Sequence, residues 1–358
     1  MHKDSPGRLL RRLLPILVGA SMVLSACSSS TASPTMAPAT QAPATQAPAT
    51  SGKPLAARCG STNQFQIGFA QSNFAEPYRA ATDAQMTKLF ATVPQFHLTI
   101  TDGTGDSGVQ ATQIKAFQTQ GVDLLISSPQ DTIPGTPPIT AVYQAGIPVI
   151  LLDRTISTDA YTAFIGGDNV AIGKMAGQYV ATKLLPNGGD VAIVEGDQAT
   201  QPALDRQNGF KAGVAGNANI HVVAEQSANW RKADAQTATN AILTAHPTIK
   251  FIYFANDEME SGGAIAIKAL GLQGKVLTGG TDGLVSPVGD NGMEQVKSGE
   301  QAFTIIYPTN APEAFAMAKD ILLNCATSVT KTTNPATTLV DASNVDQVTA
   351  QLKAAAGS

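Results

Sequence analysis

The sequence predicts an α/β protein of two lobes, each a doubly wound parallel sheet covered by helices. Three observations carry that expectation. Strand-like and helix-like stretches alternate from Ile67 onward, which is the signature of repeated βα units. The run Ile147 to Leu152 has no charge and is rich in Val, Ile and Leu, as expected of a strand buried on both faces. About 300 ordered residues exceed one comfortable core, so two lobes are expected. That central strand stops at Asp153-Arg154, and groups just past the carboxyl ends of such strands are the ones that meet ligand. A carboxylate accepts hydrogen bonds and a guanidinium donates them in a fixed fork. Together they suit a small neutral polyol. The plainer alternative is an ion pair that only holds a loop.

At the start of the chain, Arg8, Arg11 and Arg12 precede the apolar run Leu13 to Leu24, too short to span a bilayer comfortably. A basic region followed by a short apolar one reads as an export signal, residues 1–26. It ends Leu24-Ser25-Ala26-Cys27, which resembles the bacterial lipobox and marks Cys27 for lipidation; a plain signal with an incidental cysteine is the alternative. Lys3, Asp4 and the three arginines carry a net +3, so cleavage takes the formal charge from −4 to −7. An acidic exported protein is a poor partner for nucleic acid. Residues 27–60 are expected to be a disordered linker. Its Ser28 to Lys53 part is Ser/Thr/Ala/Pro-rich, with Gln-Ala-Pro-Ala-Thr twice in tandem, and proline keeps such a segment extended.

In the body, strand Ile67 to Ala70 is followed by Tyr78, Thr82, Met86, Leu89 and Phe90 at helical spacing. Phe96 to Ile100 alternates as a strand, and Gln110 to Thr119 reads as a helix closed by Gly121. Strand Val122 to Ile126, a Pro-rich bend, helix Ile139 to Gln144 and the central strand complete a first set. The polar run Thr155 to Ala160 reads as a seam. A second set runs through helix Val170 to Leu184, strand Val191 to Val194, helix Leu204 to Val214, strand His221 to Ala224 and helix Ala233 to Thr244. It continues with strand Phe251 to Phe254, helix Ser261 to Leu270, strand Lys275 to Leu277, helix Met293 to Lys297 and strand Phe303 to Ile306. Helix Glu313 to Asn324 and an extended piece, Thr337 to Asp341, close the reading.

The predicted strand ends are polar and aromatic together. Gln71 to Arg79 contains Asn73, Phe74, Glu76 and Tyr78; other strands end on Asp102, Asp153-Arg154, Glu195, Asn229-Trp230-Arg231, Asn256-Asp257-Glu258 and Thr281-Asp282. Any one of these loops could be polar for solubility alone. The repeated mixture suits a sugar, whose apolar ring faces stack and whose hydroxyls bridge.

On these residues the chain resembles the type I periplasmic sugar-binding proteins, the ribose-, galactose- and galactofuranose-binding group. The segments are Gly68-Phe69-Ala70-Gln71 with Glu76-Pro77-Tyr78-Arg79, Ile147 to Arg154, Asp168-Asn169, Asp205-Arg206 with Gly209-Phe210, Ala255 to Met259, and Thr281-Asp282-Gly283. The resemblance implies sugar contacts from Asp153, Arg154, Arg206, Asn256 and Asp282, stacking from Trp230 and the Phe74/Tyr78 region, and Arg79 as an added donor, with Glu76 beside it. The Glu-Pro-Tyr-Arg loop looks closer to the galactofuranose branch. Where the family often has Gln or Glu before the last crossover, this chain has Thr304-Ile305-Ile306-Tyr307-Pro308, with Tyr307 the candidate replacement.

The same resemblance implies a three-strand hinge near Thr155 to Ser157, Tyr307-Pro308 and Thr337 to Asp341. The lobes would then be 61–156 plus 308–336 and 157–307 plus 337–358. It further implies a lipid-anchored, extracytoplasmic, monomeric solute-binding protein of a carbohydrate ABC importer. Its ligand would be a small neutral monosaccharide, its partner the importer's membrane permease, and its membrane contact the lipid anchor alone. A sugar-sensing module for chemotaxis or a sensor kinase is the alternative, and a secreted enzyme a distant third. With Cys27 acylated, Cys59 and Cys325 remain in an oxidising compartment. On the family topology they lie at the same edge of one lobe, and a disulfide is expected.

One motif points elsewhere. Gly103-Thr104-Gly105-Asp106-Ser107-Gly108 is a literal G-x-G-x-x-G, but it follows the second strand rather than the first. A glycine-rich turn capping a helix is the plainer reading. No G-x-S-x-G, P-loop, H-E-x-x-H or C-x-x-C occurs. Neither catalysis, a metal nor a cofactor is expected.

Overall fold

The computed structural model describes residues 54–285 and 291–357. The export signal, Cys27 and the linker as far as Lys53 lie outside the described residues. Two six-stranded sheets form the body. In the first, β1 (Phe65–Gln71) pairs on one side with β2 (Phe96–Asp102) and on the other with β3 (Leu124–Ser127). β4 (Val149–Leu152) and β5 (Ala163–Ile165) extend it, and every pairing is parallel. Side chains alternate across β1. Phe65, Ile67 and Phe69 pack with α1 (Pro77–Phe90) and α9 (Ala311–Leu322). Ala70 packs with α2 (Ser107–Gln120) and α3 (Thr132–Gln144) on the other face. Gly68 is required there, because a Cβ would sit 2.7 Å from the Phe117 ring.

The second sheet repeats the plan with β6 (Gly189–Glu195), β7 (Ile220–Ser227), β8 (Ile249–Phe254), β9 (Leu277–Gly279) and β10 (Phe303–Ile305). Val191 and Ile193 join Phe251, Tyr253 and Phe303 in one apolar cluster with α4 (Asn169–Tyr179) and α5 (Gln201–Val214). Ala192, Val194, Ile252 and Phe254 form the other with α6 (Lys232–Ala245) and α7 (Asp257–Ala269). α8 (Gly292–Ser298) follows β9. Parallel strands in each sheet bring their carboxyl ends, and so their polar loops, to one edge.

Several expectations are corrected. β5 was not anticipated; it pairs with β4 in the first sheet, so the first crossing follows Ile165 rather than the expected boundary at 156/157. The second crossing lies between β10 and α9. The third lies between β11 (Thr332–Thr333), parallel to β5, and β12 (Leu339–Asp341), antiparallel to β10. The Pro-rich bend is helical: α3 runs through Pro137 and Pro138. Pro134 falls in the first turn, where its missing N–H has no partner to lose, and burial of Ile139 and Val142 holds the rest. The expected linker stops short of residue 60. Ala56 is buried, Leu55 N–H donates to Ala326 O and Gly60 N–H to Leu322 O, at 2.9 and 2.8 Å. The disulfide between Cys59 and Cys325 ties this segment to the end of α9. A C-terminal helix, α10 (Val345–Gly357), was also not anticipated. The G-x-G-x-x-G stretch is a capped turn: Asp106 accepts from Gly108 N and Val109 N at 2.7 and 2.9 Å, and a Cβ on Gly103 would strike the Ser72 and Gln71 carbonyls. Among the described residues no helix is long and apolar enough to cross a membrane, and no cluster of His, Cys, Asp and Glu could hold a metal ion.

Candidate functional site

Asp153 is placed by an unusual backbone. Its φ of 68° is left-handed, and Arg154 N donates to Leu152 O at 2.7 Å across it. A three-residue turn of this hand is rare and strained in a non-glycine residue. The strain turns the carboxylate out of the sheet toward α1. There Arg79 Nη2 lies 2.6 Å from Asp153 Oδ2, with Glu76 Oε2 3.6 Å from its Nε and Ser128 Oγ accepting from Nη1 at 3.0 Å. Glu76 is itself oriented by Asn73 Nδ2 at 2.6 Å. Arg154 keeps its Nε 3.8 Å from Asp153 Oδ2 and donates Nη1 to the Gln130 carbonyl at 2.7 Å.

The second sheet answers with Arg206, projecting from α5. Its Nε donates to Asn169 Oδ1 at 2.8 Å and its Nη1 to Ala255 O at 2.6 Å. The guanidinium lies over two rings, Tyr307 at 4.5 Å and Trp230 at 5.6 Å. Trp230 is carried on a tight turn, with Asn229 and Trp230 both left-handed and Arg231 N donating to Ala228 O at 2.7 Å. Paired left-handed residues define a type I′ turn, which bulky side chains rarely occupy. Gly196 makes room for the indole, since a Cβ would fall 2.2 Å from it. Asn256 caps α7 by accepting from Met259 N at 2.9 Å. Asp282 follows β9 with a φ of 136°, and no hydrogen bond to its carboxylate occurs among the described residues.

These side chains line one cavity: Glu76, Tyr78, Arg79, Asp153, Arg154, Arg206, Trp230, Asn256 and Asp282, with Pro202 and Tyr307. The structure therefore gathers all the sequence-predicted contacts except Phe74, which is 43 % exposed and outside the lining. Tyr307 completes the wall: its hydroxyl donates to Asp153 Oδ1 at 2.7 Å and accepts from Gly167 N at 3.2 Å. Asn169, which aims Arg206, had been noted only as part of a matching segment. Tyr307 is the residue that the resemblance marked as the candidate replacement for a Gln or Glu before the last crossover. A larger hollow of about 580 Å³ lies between α7 and α8. Its floor is already bonded, Glu260 accepting from Thr278 at 2.7 Å and from Gln295 at 2.6 Å, and it lacks convergent aromatic and guanidinium groups.

Electrostatics divide the acids. Burial alone would raise Asp153, but Arg79, Arg154 and the Tyr307 hydrogen bond outweigh it and hold the carboxyl below its usual value. Burial, reinforced by Asp257, pushes Asp282 well above its usual value, and burial raises Asp257 to about 6. Burial, then Arg79, lowers Arg154. The cavity thus sets one carboxyl whose charged form is favoured, Asp153, against one whose protonated form burial favours, Asp282. Among the described residues, the buried Arg79 Nε, Arg154 Nε and Trp230 Nε1 have no hydrogen-bond partner, the first two facing carboxylates only at ion-pair range, Glu76 at 3.6 Å and Asp153 at 3.8 Å. A buried N–H without a hydrogen bond costs about 1–3 kcal/mol, which hydroxyl oxygens would relieve. The space is about 20 Å³, about one water's worth, so a larger molecule enters only if the walls part.

Residues 67–324 match a protein family described as periplasmic binding protein domain. Ribose import binding protein RbsB of Haemophilus influenzae is 30% identical over 251 residues, covering 70% of this chain and 82% of that protein. Fructose import binding protein FruE of Bifidobacterium longum is 30% identical over 286 residues, 74% of this chain and 84% of that one. Among solved structures, the fructose binding periplasmic domain of a hybrid two component system is 32% identical with a TM-score of 0.78, covering 82% of this chain and 96% of that one. A Mycobacterium smegmatis structure in complex with β-D-fucofuranose is 28% identical with a TM-score of 0.74, covering 82% and 97%.

Proposed function

The chain belongs to the periplasmic binding protein domain family, and on that premise we propose that it is the extracytoplasmic solute-binding protein of a carbohydrate ABC importer, taking a small neutral monosaccharide of the ribose or galactofuranose kind. The observation that carries this reading is the cavity wall itself. Acceptors, orphaned donors and two aromatic faces converge from both sheets, which is what a ring with apolar faces and several hydroxyls requires. Asp153, Arg154, Arg206, Asn256 and Asp282 bond hydroxyls, Trp230 and Tyr78 cover ring faces, and Arg79 with Glu76 hold the acid in place. Ligand touches both lobes only when they close, so it stabilises the closed state by its differential affinity. The closed form is then what the permease recognises. Named relatives include import binding proteins for ribose and fructose, which supports transport.

The test is a thermal-shift screen against pentoses, furanose-rich hexoses and polyols. A ligand at 100 times its Kd should add about 2.7 kcal/mol; no shift with any sugar at millimolar concentration rejects the reading. A sensing role has one observation in its favour, the similarity to the periplasmic domain of a two component system. Stimulation of ATP hydrolysis by a reconstituted permease and ATPase encoded beside this chain would decide for transport. Lipidation of Cys27 belongs to the same proposal, as does a monomeric state. Detergent-phase partitioning that disappears in Cys27→Ser tests the first, and light scattering the second.

A further inference from the structure

Tyr307 stands where the chain passes from β10 toward α9, and it touches both lobes. Its hydroxyl donates to Asp153 Oδ1 at 2.7 Å and accepts from Gly167 N at 3.2 Å. Its ring lies 4.5 Å below the Arg206 guanidinium, and Tyr78 packs edge-on at 5.3 Å. The ring fits because Gly167 has no side chain; a Cβ there would be 2.3 Å from it. Tyr78 is itself pinned, donating to Pro308 O at 3.0 Å and accepting from Asn310 Nδ2 at 3.1 Å.

We propose that Tyr307 is a positioning residue that sets Asp153 of one lobe and Arg206 of the other into a single recognition geometry, without itself donating a hydrogen bond to the sugar. The proposal rests on the sugar-binding reading above and deepens it. Asp153 has two oxygens: Oδ2 faces Arg79 at 2.6 Å, and Oδ1 takes the Tyr307 proton. With both held, the carboxylate plane cannot rotate, and only its remaining lone pairs face the cavity. Arg206 is fixed in turn by the ring beneath it, by Asn169 and by the Ala255 carbonyl. The Tyr307 hydroxyl gives its one proton to Asp153 and receives the Gly167 N–H, so it has no proton left to donate to a sugar. A Gln or Glu at this position would offer the sugar a polar arm of its own but no aromatic face for Arg206.

Wild type, Tyr307→Phe and Tyr307→Leu would be titrated calorimetrically with D-ribose and with D-fructose, and the ligand-free proteins unfolded by acid. Among the described residues Asp153 faces Arg79 on α1, its neighbour Arg154, Tyr78, Tyr307, Arg206 from α5 and Asp282 across the cavity, and Glu76 shares Arg79 with it. The other acids of the cluster, Glu76 and Asp282, are the same in wild type and in both variants, and burial displaces Asp282 upward, so a difference in the acid limb reports Asp153. Asp153 is held below its usual value, so its contribution is present above the unfolded pKa and lost as pH falls through the folded one. Removing the Tyr307 donor raises that folded value and moves the acid unfolding midpoint up. Tyr307→Phe, which keeps the ring, is expected to bind about tenfold more weakly with a raised midpoint, and Tyr307→Leu more weakly still. Affinity within twofold of wild type overturns the proposal. So does a loss of stability equal at every pH, which would mean that the ring only fills space. If wild type binds neither sugar, the sugar reading fails for these two ligands, while the acid midpoint still decides the Tyr307–Asp153 coupling.

Discussion

Arg79 Nη2 sits 2.6 Å from Asp153 Oδ2, both side chains almost wholly buried. A buried carboxylate left without its cation is costly, about 3–5 kcal/mol for a broken pair. Arg79→Ala is therefore expected to lower unfolding stability in urea by about 3 kcal/mol at pH 7, and Arg79→Ala with Asp153→Asn to recover part of the loss. Unchanged stability in the single variant would show that Asp153 does not depend on Arg79.

Arg154 stands beside the same acid, its Nε 3.8 Å from Asp153 Oδ2 without a hydrogen bond, and donates Nη1 to the Gln130 carbonyl. Its removal should be felt in binding more than in folding. Arg154→Ala is expected to cost about 2–4 kcal/mol of affinity, roughly 30- to 1,000-fold, by calorimetry with the cognate sugar. Affinity within threefold of wild type, with the fold intact, rejects a contact role.

Trp230 is the chain's one tryptophan, 6 % exposed and on the cavity wall. Its emission should change saturably with ligand at the affinity found by calorimetry. Trp230→Phe should keep most of the binding, and Trp230→Ala should weaken it by about 1–3 kcal/mol. Binding by Trp230→Ala as tight as wild type would leave the indole a packing role only.

Cys59 and Cys325 are joined, closing most of the described chain into one loop. The unreduced, unfolded protein truncated before Lys53 should give no free thiol in an Ellman titration. Cys59→Ser should lose at most about 5 kcal/mol of stability. Two titrating thiols would contradict the bridge.

Glu195 at the end of β6 shares Gln207 with Glu225 of β7. Burial first, then the charge of Glu225, lifts the Glu195 carboxyl from 4.5 to about 7. An acid raised on folding binds protons more tightly in the native state, so its contribution makes stability fall as pH rises from 4.5 to 7. Solvent reaches the rim of this pair, so the effect is discounted to about 1 kcal/mol. Glu195→Gln should flatten that slope and be the more stable protein at pH 8. Parallel curves for the two proteins across the window would refute the assignment.

What the sequence by itself determined is the periodicity and the chemistry at strand ends. Runs such as Val149–Leu152 announce themselves because a strand buried on both faces admits no charge, and the residue where charge returns, Asp153, marks the edge of the sheet. Asp153, Arg154, Trp230, Asn256 and Asp282 were legible on that ground. Tertiary structure alone decided three other things. β5 is three residues long and owes its existence to hydrogen bonds with β4, so local pattern could not separate it from the polar seam before it. α3 keeps its prolines because buried neighbours outweigh the hydrogen bonds they forfeit. Phe74 shares a loop with Glu76 and Tyr78, yet the chain turns it outward, a matter of backbone direction that composition does not encode. The pairing of Arg79 with Asp153, and of Tyr307 with both Asp153 and Arg206, joins residues far apart in sequence. Such contacts depend on where folded sheets bring strand ends together, and they have no local pattern from which to be read.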